Sequence, residues 1–331
     1  MQNNEIDIMC DPYREIQEYI GAIKDLSLSF YPGVTPEDIR LLASYADSDA
    51  PKVQGCLTDF FGMIIHLKYL HLAGHFNRRA TALPFPSDGF HAETIEYVGV
   101  LRAFAESGSE FVGVELGCGW GPWIGLGGVL ARRHGKPFRL VGVEASKEHC
   151  DYCQEHLEQN GLLHHARIIN ALISTSRKAA YFQTGLAAVN NWGATPSPSP
   201  REHHVKVPSI RIADALDGLD IIDYVHVDIQ GSEDSVLADP AAGRILDDKV
   251  KRVIVGTHSR GIEGHLLDVF KNRGWVLEGE KPCHFSFNPH ATYVGMTKVD
   301  GCQIWRNSRQ LAAVPKRRYS LRRLFQFDQS T

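Results

Sequence analysis

The sequence predicts an α/β fold: a doubly wound, mostly parallel sheet covered by helices on both faces and preceded by an N-terminal helical region. Three observations predict it. After Gly108, short apolar runs alternate with amphipathic stretches, the pattern of buried strands joined by crossover helices. The first run ends in a turn with glycine at alternate positions, Gly117-Cys118-Gly119-Trp120-Gly121, followed by Pro122. The second run ends in an acid, Glu144.

In chain order, residues 1–90 read as helical. Pro12–Leu26 carries apolar residues at helical spacing. Thr35-Pro36-Glu37-Asp38 supplies a hydroxyl N-cap, a first-turn proline and first-turn acids, the composition of a helix start. Leu57–Leu72 is apolar over most of its surface and is also expected to be a helix. The turn-rich Leu83–Gly89 breaks the chain before a helix from His91 to Glu106. The α/β domain is expected over residues 91–310, with strands at Phe111–Leu116, Arg139–Glu144, Arg167–Ile169, Asp223–Ile229 and Arg252–Gly256. Its helices are expected at Trp123–His134, Lys147–Asn160 and Gly264–Arg273. Trp275–Leu277 and Cys302–Trp305 make a closing antiparallel pair. Thr184–Val207, with Asn190-Asn191-Trp192-Gly193 and Pro196-Ser197-Pro198-Ser199-Pro200, reads as a loop. Residues 311–331 are a basic tail, with Lys316, Arg317, Arg318, Arg322 and Arg323 read as a solvated segment.

Bulk properties narrow the class. The 331 residues are 43% hydrophobic and 22% charged, an ordinary globular balance that excludes disorder over the whole length. A net charge of −4 and a pI near 6.5 create no general field for nucleic acid or an anionic membrane, so neither is expected as a partner. The most apolar stretch, Phe60–Gly74, is interrupted by His66, Lys68 and His71. It falls short of the roughly 20 residues that span a bilayer. Seven scattered cysteines and the lack of a basic-then-apolar N-terminal segment point to a reducing, cytoplasmic location.

Ligands of doubly wound sheets bind beyond the carboxyl ends of the strands, and the candidate residues stand at such ends. The glycine turn lets the backbone approach a ligand closely. Glu115, two residues before Gly117, would repel a pyrophosphate but suits a ligand bearing an ammonium group. Glu144, with Ala145 beside it, can accept both hydroxyls of a ribose; a helix-start acid is the plainer reading. Asp228 and His258 follow neighbouring apolar runs and would face one cleft, His258 as general base and Asp228 as its orienting partner or a contact to the acceptor. A turn cap for Asp228 and a satisfied junction histidine for His258 are the alternatives. His226 shares a strand face with Asp228 and reads as a buried structural histidine. His91 and Glu93 stand within reach of the same end. His149, Cys150, Cys153 and His156 have spacing reminiscent of a zinc site, but they lie inside one helix with no second cysteine pair, so no metal is expected there.

ELGCGWG, GVEAS, Asn170-Ala171-Leu172 and Val227-Asp228-Ile229-Gln230-Gly231-Ser232-Glu233 together resemble the FkbM family of S-adenosylmethionine-dependent methyltransferases, over roughly Phe111 to Arg306. The resemblance implies a class I, Rossmann-like methyltransferase fold with an antiparallel last strand. It implies S-adenosylmethionine as cofactor and methylation of a hydroxyl on a sugar or other small molecule. Glu115, Gly117, Gly119, Trp120 and Gly121 would then border the methionine part and Glu144 the ribose, with Asn170 and Ala171 against the adenine. Two positions depart from the common pattern: Gln230 and Gly256 stand where acids are more usual, which weakens a carboxylate-bound metal. An NAD-dependent oxidoreductase would share fold, glycines and acid, but Glu115 and the G-x-G-x-G spacing argue against it. A cofactor-binding scaffold without activity is the third reading.

Overall fold

The computed structural model describes residues 33–47, 49–69, 93–183 and 193–310. The expected helix at Pro12–Leu26, the Leu83–Gly89 turn, His91, Asn190-Asn191-Trp192 and the basic tail lie outside the described residues.

Seven strands form the main sheet: β1 Phe111–Leu116, β2 Phe138–Glu144, β3 Ala166–Asn170, β4 Tyr224–Val227, β5 Arg252–Thr257, β6 Trp275–Lys281 and β7 Gly301–Asn307. Their order is β6-β7-β5-β4-β1-β2-β3. The five strands from β5 to β3 are parallel, and β7 runs antiparallel to both β5 and β6. This is the expected doubly wound sheet with an antiparallel last strand. Strand succession reverses between β1 and β4, and a crevice opens at such a switch point.

Strand alternation divides the interior into two cores. Phe111, Leu140, Tyr224, Ile254 and Ile304 face one cluster, whereas Val112, Val114, Val141, Val225, Val253 and Trp305 face the other. The first core is roofed by α2 (Thr94–Ala105), α3 (Pro122–Arg133) and α4 (Lys147–Gln159), with α1 (Pro36–Ser44) packed outside α2. The second is covered by α5 (Glu233–Leu237), α6 (Pro240–Lys249) and α7 (Arg260–Asn272). The helix start at Thr35 forms as the sequence predicts, with a capping box between Thr35 and Asp38. The Asp38 carboxylate also accepts from the Arg102 guanidinium of α2 at 2.8 and 2.9 Å, which fastens the N-terminal segment to the domain.

The helix expected at Leu57–Leu72 does not form in its described part. Cys56–Thr58 and Ile64–His66 pair as an antiparallel hairpin, and Leu67–Tyr69 is a single 3₁₀ turn. The cause is local. Asp59 Oδ1 accepts from the backbone N–H groups of Phe61 and Met63, and Gly62 adopts φ +85°. Together they set a tight turn between β-branched residues that favour extended backbone. The loop expected over Thr184–Val207 is likewise extended at its end, where His204–Val207 pairs with Ala180–Gln183.

One glycine is indispensable to the switch point. Gly117 has φ +77°, and a Cβ placed there would lie 1.8 Å from the carbonyl oxygen of Asp228. Gly135 has φ +61° but nothing within 4 Å of its Cβ position. Gly135→Ala is therefore expected to cost only about 1 kcal/mol, the left-handed backbone penalty. Gly117→Ala must also move backbone and is expected to cost well over about 2 kcal/mol. Urea denaturation of the two variants checks the difference.

Candidate active site

A cavity of about 250 Å³ lies over the carboxyl ends of β1, β2, β4 and β5. Of the residues expected to bind cofactor, Glu115, Gly117, Gly119, Trp120, Glu144, Ala145 and Ala171 line it. Gly117, Gly119 and Gly121 have φ of +77°, +52° and +76°, so the turn passes through backbone conformations that side-chain-bearing residues avoid. The Gly119 N–H donates to Glu144 Oε2 at 2.9 Å, and the Ser146 N–H donates to Oε1 at 2.8 Å. Glu144 thus ties the β1 turn to the β2 turn, and its oxygens keep further acceptor capacity. Trp120 stacks on Tyr69, with ring centroids 5.8 Å apart, and meets His156 edge-on at 4.8 Å. Its ring roots the turn in the core. Asn170 lies beside the main cavity, in a neighbouring hollow of about 190 Å³. Its amide donates to the carbonyls of Glu144 and Ala145 at 2.9 and 3.0 Å, so it braces the β2–β3 junction.

Glu115 is 1% exposed. It accepts from the Ile124 N–H at 2.9 Å, and burial pushes its carboxyl well above the usual carboxylate range. Two acids from the start of α2 join it in the cavity wall. Glu93 and Glu96 form the helix's capping box. Glu93 pairs with Lys281 at 2.6 Å, so the helix-start role and the place in the cavity belong to one residue. Glu96 Oε1 lies 2.9 Å from His226 Nε2. His226 is buried as the sequence predicts, yet it also lines the cavity.

Asp228 and His258 do come together, with His258 just beyond β5. His258 Nε2 is 3.3 Å from Asp228 Oδ1 and Nδ1 is 3.0 Å from Glu233 Oε1, although neither N–H is aligned for a strong hydrogen bond. Burial disfavours a charged His258, but the two flanking carboxylates outweigh it and push its pKa up to about 11. Burial alone would raise the Asp228 pKa, yet contact with His258 holds it below the usual range. A histidine acting as general base must be uncharged, which is not the state this geometry favours for His258. An imidazolium has no lone pair with which to take a proton, and the His258 side chain is 7% exposed against 36% for Asp228. Asp228 presents itself to the cavity, and His258 holds it from behind.

Several contributors escaped the sequence reading. Glu233 is fully buried and accepts from the N–H groups of Ile229 and Gly231, fixing the loop after β4. Its presence in the motif was the available signal. Gln230 adopts φ +54° and donates to Asp228 Oδ1 at 2.9 Å. Asp300, before β7, enters the wall from a part of the chain that no motif marks. Asp228, Glu233 and His258 bring three potential metal-ligand atoms within 4.8 Å of one another. The Glu233 oxygens are already engaged by backbone N–H groups, and the trio is accounted for as an ion-paired clamp. The zinc-like segment takes another form: His156 is fully buried in α4, where burial lowers its pKa to about 3.

The His258 clamp gives a pH dependence of defined sign. A histidine whose folded pKa exceeds its unfolded value of about 6.5 stabilises fully below that pH and loses the contribution as pH climbs toward the folded value. The stability advantage of wild type over His258→Gln is expected to be greatest near pH 6 and to lose most of its size by about pH 9.5. Denaturation midpoints of both proteins across that range check it.

No family model matches the chain. A protein of Jannaschia sp. (strain CCS1) named as a methyltransferase is 29% identical over 242 residues, covering 69% of this chain and 85% of that one. Among solved structures, precorrin-6y C5,15-methyltransferase from Geobacter metallireducens GS-15 aligns with TM-score 0.38 and 8% identity, over 68% of this chain and 93% of that one. A METTL16 MTase domain aligns with TM-score 0.37 and 12% identity, over 63% of this chain and 64% of that one. Streptococcus pneumoniae Sp1610, described as a tRNA (m1A22) methyltransferase, aligns with TM-score 0.36 and 11% identity, over 62% and 67%. The last corrects an expectation. Against the expectation of no nucleic acid, the aligned structures include one described as a tRNA (m1A22) methyltransferase. Among the described residues no helix is long and apolar enough to cross a membrane. The doubly wound sheet and the acid-lined cavity at its switch point thus stand beside a similarity in sequence to a protein named as a methyltransferase.

Proposed function

We propose that the chain moves the methyl group of S-adenosylmethionine to a hydroxyl oxygen, as the FkbM methyltransferases resembled by its motifs do. One observation carries the cofactor side of this reading. The cavity is lined by Glu93, Glu96, Glu115, Glu144, Asp228 and Asp300 and, among the described residues, by no lysine or arginine. S-adenosylmethionine brings an ammonium and a sulfonium. Opposite charges about 4 Å apart attract by about 4 kcal/mol at the effective dielectric of a partly buried site. The same wall would repel the pyrophosphate of a nicotinamide dinucleotide. In this reading Glu144 takes the ribose hydroxyls beside Ala145, and Ala171 borders the adenine with Asn170 bracing that wall. The turn Gly117–Gly121, held by Trp120, carries the methionine part, and Glu115 faces its ammonium.

Methyl transfer is an in-line displacement in which the acceptor oxygen forms a C–O bond as the C–S bond breaks. The oxygen turns strongly acidic as that bond forms. A carboxylate held ionised, such as Asp228, is then basic enough to take the proton, and its hydrogen bond from Gln230 fixes its direction. His258 and Glu233 keep it in place. The FkbM-like motif supports a hydroxyl as acceptor, and oligoribonucleotides stand beside sugars and hydroxylated metabolites among the acceptors to be tested.

Calorimetry with S-adenosylhomocysteine and with NAD tests the cofactor reading: binding of the first and not the second is expected, and the reverse overturns it. Incubation with S-adenosylmethionine and the acceptor panel should yield a product one methyl heavier. Cofactor binding with no product on any acceptor would favour a scaffold. Asp228→Asn is expected to lower kcat by about 10²–10⁴-fold while S-adenosylhomocysteine affinity stays within about threefold. Unchanged kcat would remove Asp228 from the reaction.

A further inference from the structure

We infer that His226, set by Glu96, is a cofactor-binding residue whose Nδ1 accepts a hydrogen bond from the ammonium group of S-adenosylmethionine, completing with Glu115 a two-sided ammonium site. The inference rests on the cofactor reading above. It begins from register. His226 on β4 is the direct partner of Glu115 on β1, and adjacent parallel strands place such side chains about 4.8 Å apart on one face of the sheet. Both line the cavity.

Glu96 then decides what His226 offers. Its two oxygens are both committed, Oε2 accepting from the Glu93 N–H at 2.9 Å and Oε1 lying 2.9 Å from His226 Nε2. A carboxylate only accepts, so Nε2 carries a ring proton, and Nδ1 is the ring atom left to accept. That atom has no hydrogen-bond partner, in a residue 1% exposed. A buried acceptor left unmade is costly and calls for an explanation. A ligand donor arriving through the cavity supplies one. Trp123, 5.4 Å away and tilted 37°, holds the other side of the ring, so the lone pair has a fixed direction. An ammonium has three N–H donors and a full charge. It satisfies His226 and gives Glu115, whose ionisation burial opposes, the cation that its charged form lacks.

The test uses two ligands that share a nucleoside. S-adenosylhomocysteine has the ammonium, and 5′-methylthioadenosine does not. In calorimetry His226→Gln, which keeps a donor toward Glu96 but has no acceptor at the δ position, is expected to bind S-adenosylhomocysteine about tenfold or more weakly than wild type. Its affinity for 5′-methylthioadenosine should stay within about twofold, which also reports that the variant is folded. His226→Asn, whose carbonyl can sit where Nδ1 does, is expected to recover part of the loss. Equal affinity of wild type and His226→Gln for S-adenosylhomocysteine overturns the inference, as does an equal loss for both ligands, the mark of a purely structural histidine. Failure of wild type to bind either ligand would instead overturn the cofactor reading beneath it.

Discussion

The carboxyl ends of β1 and β4 are held in backbone contact at Gly117, and the rest of the site depends on that closeness. The Asp228 N–H donates to the Leu116 carbonyl at 2.9 Å, while the Asp228 carbonyl occupies the space that a side chain at 117 would need. The glycine turn is therefore folded over the end of β4 and not merely beside it. Glu144 secures the far side by gripping the Gly119 N–H. With both edges pinned, Glu115 and His226 lie level on one sheet face and Asp228 lies beyond them at the strand end. Their mutual geometry follows from two short backbone approaches.

Six acids around one cavity would be untenable if all were free and ionised, because like charges at close range in a poorly solvated site repel by several kcal/mol. The fold gives them different partners. Lys281 takes Glu93, the His226 ring takes Glu96, backbone N–H groups take Glu144, and the His258 imidazolium takes Asp228. Glu115 has only backbone donors, and burial opposes its charge as it does that of Asp300. The cavity thus stores negative potential without paying for it through unpaired buried ions.

The architecture was legible because it is written in short-range patterns. Four of the five parallel strands are largely buried apolar runs, the edge strand β3 being only partly buried, and the helix start at Thr35 carries the hydroxyl cap that its sequence predicts. The glycine turn and Glu144 were legible for the same reason, since a sharp turn and a strand-end acid are local features. What was not legible required three dimensions. The hairpin around Gly62 was masked by apolar residues that suit a helix as well as a strand. The charge favoured on His258 depends on Glu233, which stands close in sequence but acts through the far side of the imidazole. Glu96 reaches His226 across 130 residues, and no spacing rule connects them. Asp300 lies 72 residues beyond Asp228, so only the antiparallel return of β7 delivers it.

The absence of a side chain at Gly256 has its own consequence. A Cβ there would sit 3.3 Å from the Asp228 carboxyl carbon, so a bulkier neighbour would crowd the one acid that looks outward from the β4 end. A second carboxylate at this place would leave a narrow slot between two like charges. The glycine instead leaves room above the end of β5, where Asp300 and Gly301 also line the cavity. The molecule has exchanged charge for width at the end of β5, and that width sets the bulk of whatever can lie against Asp228.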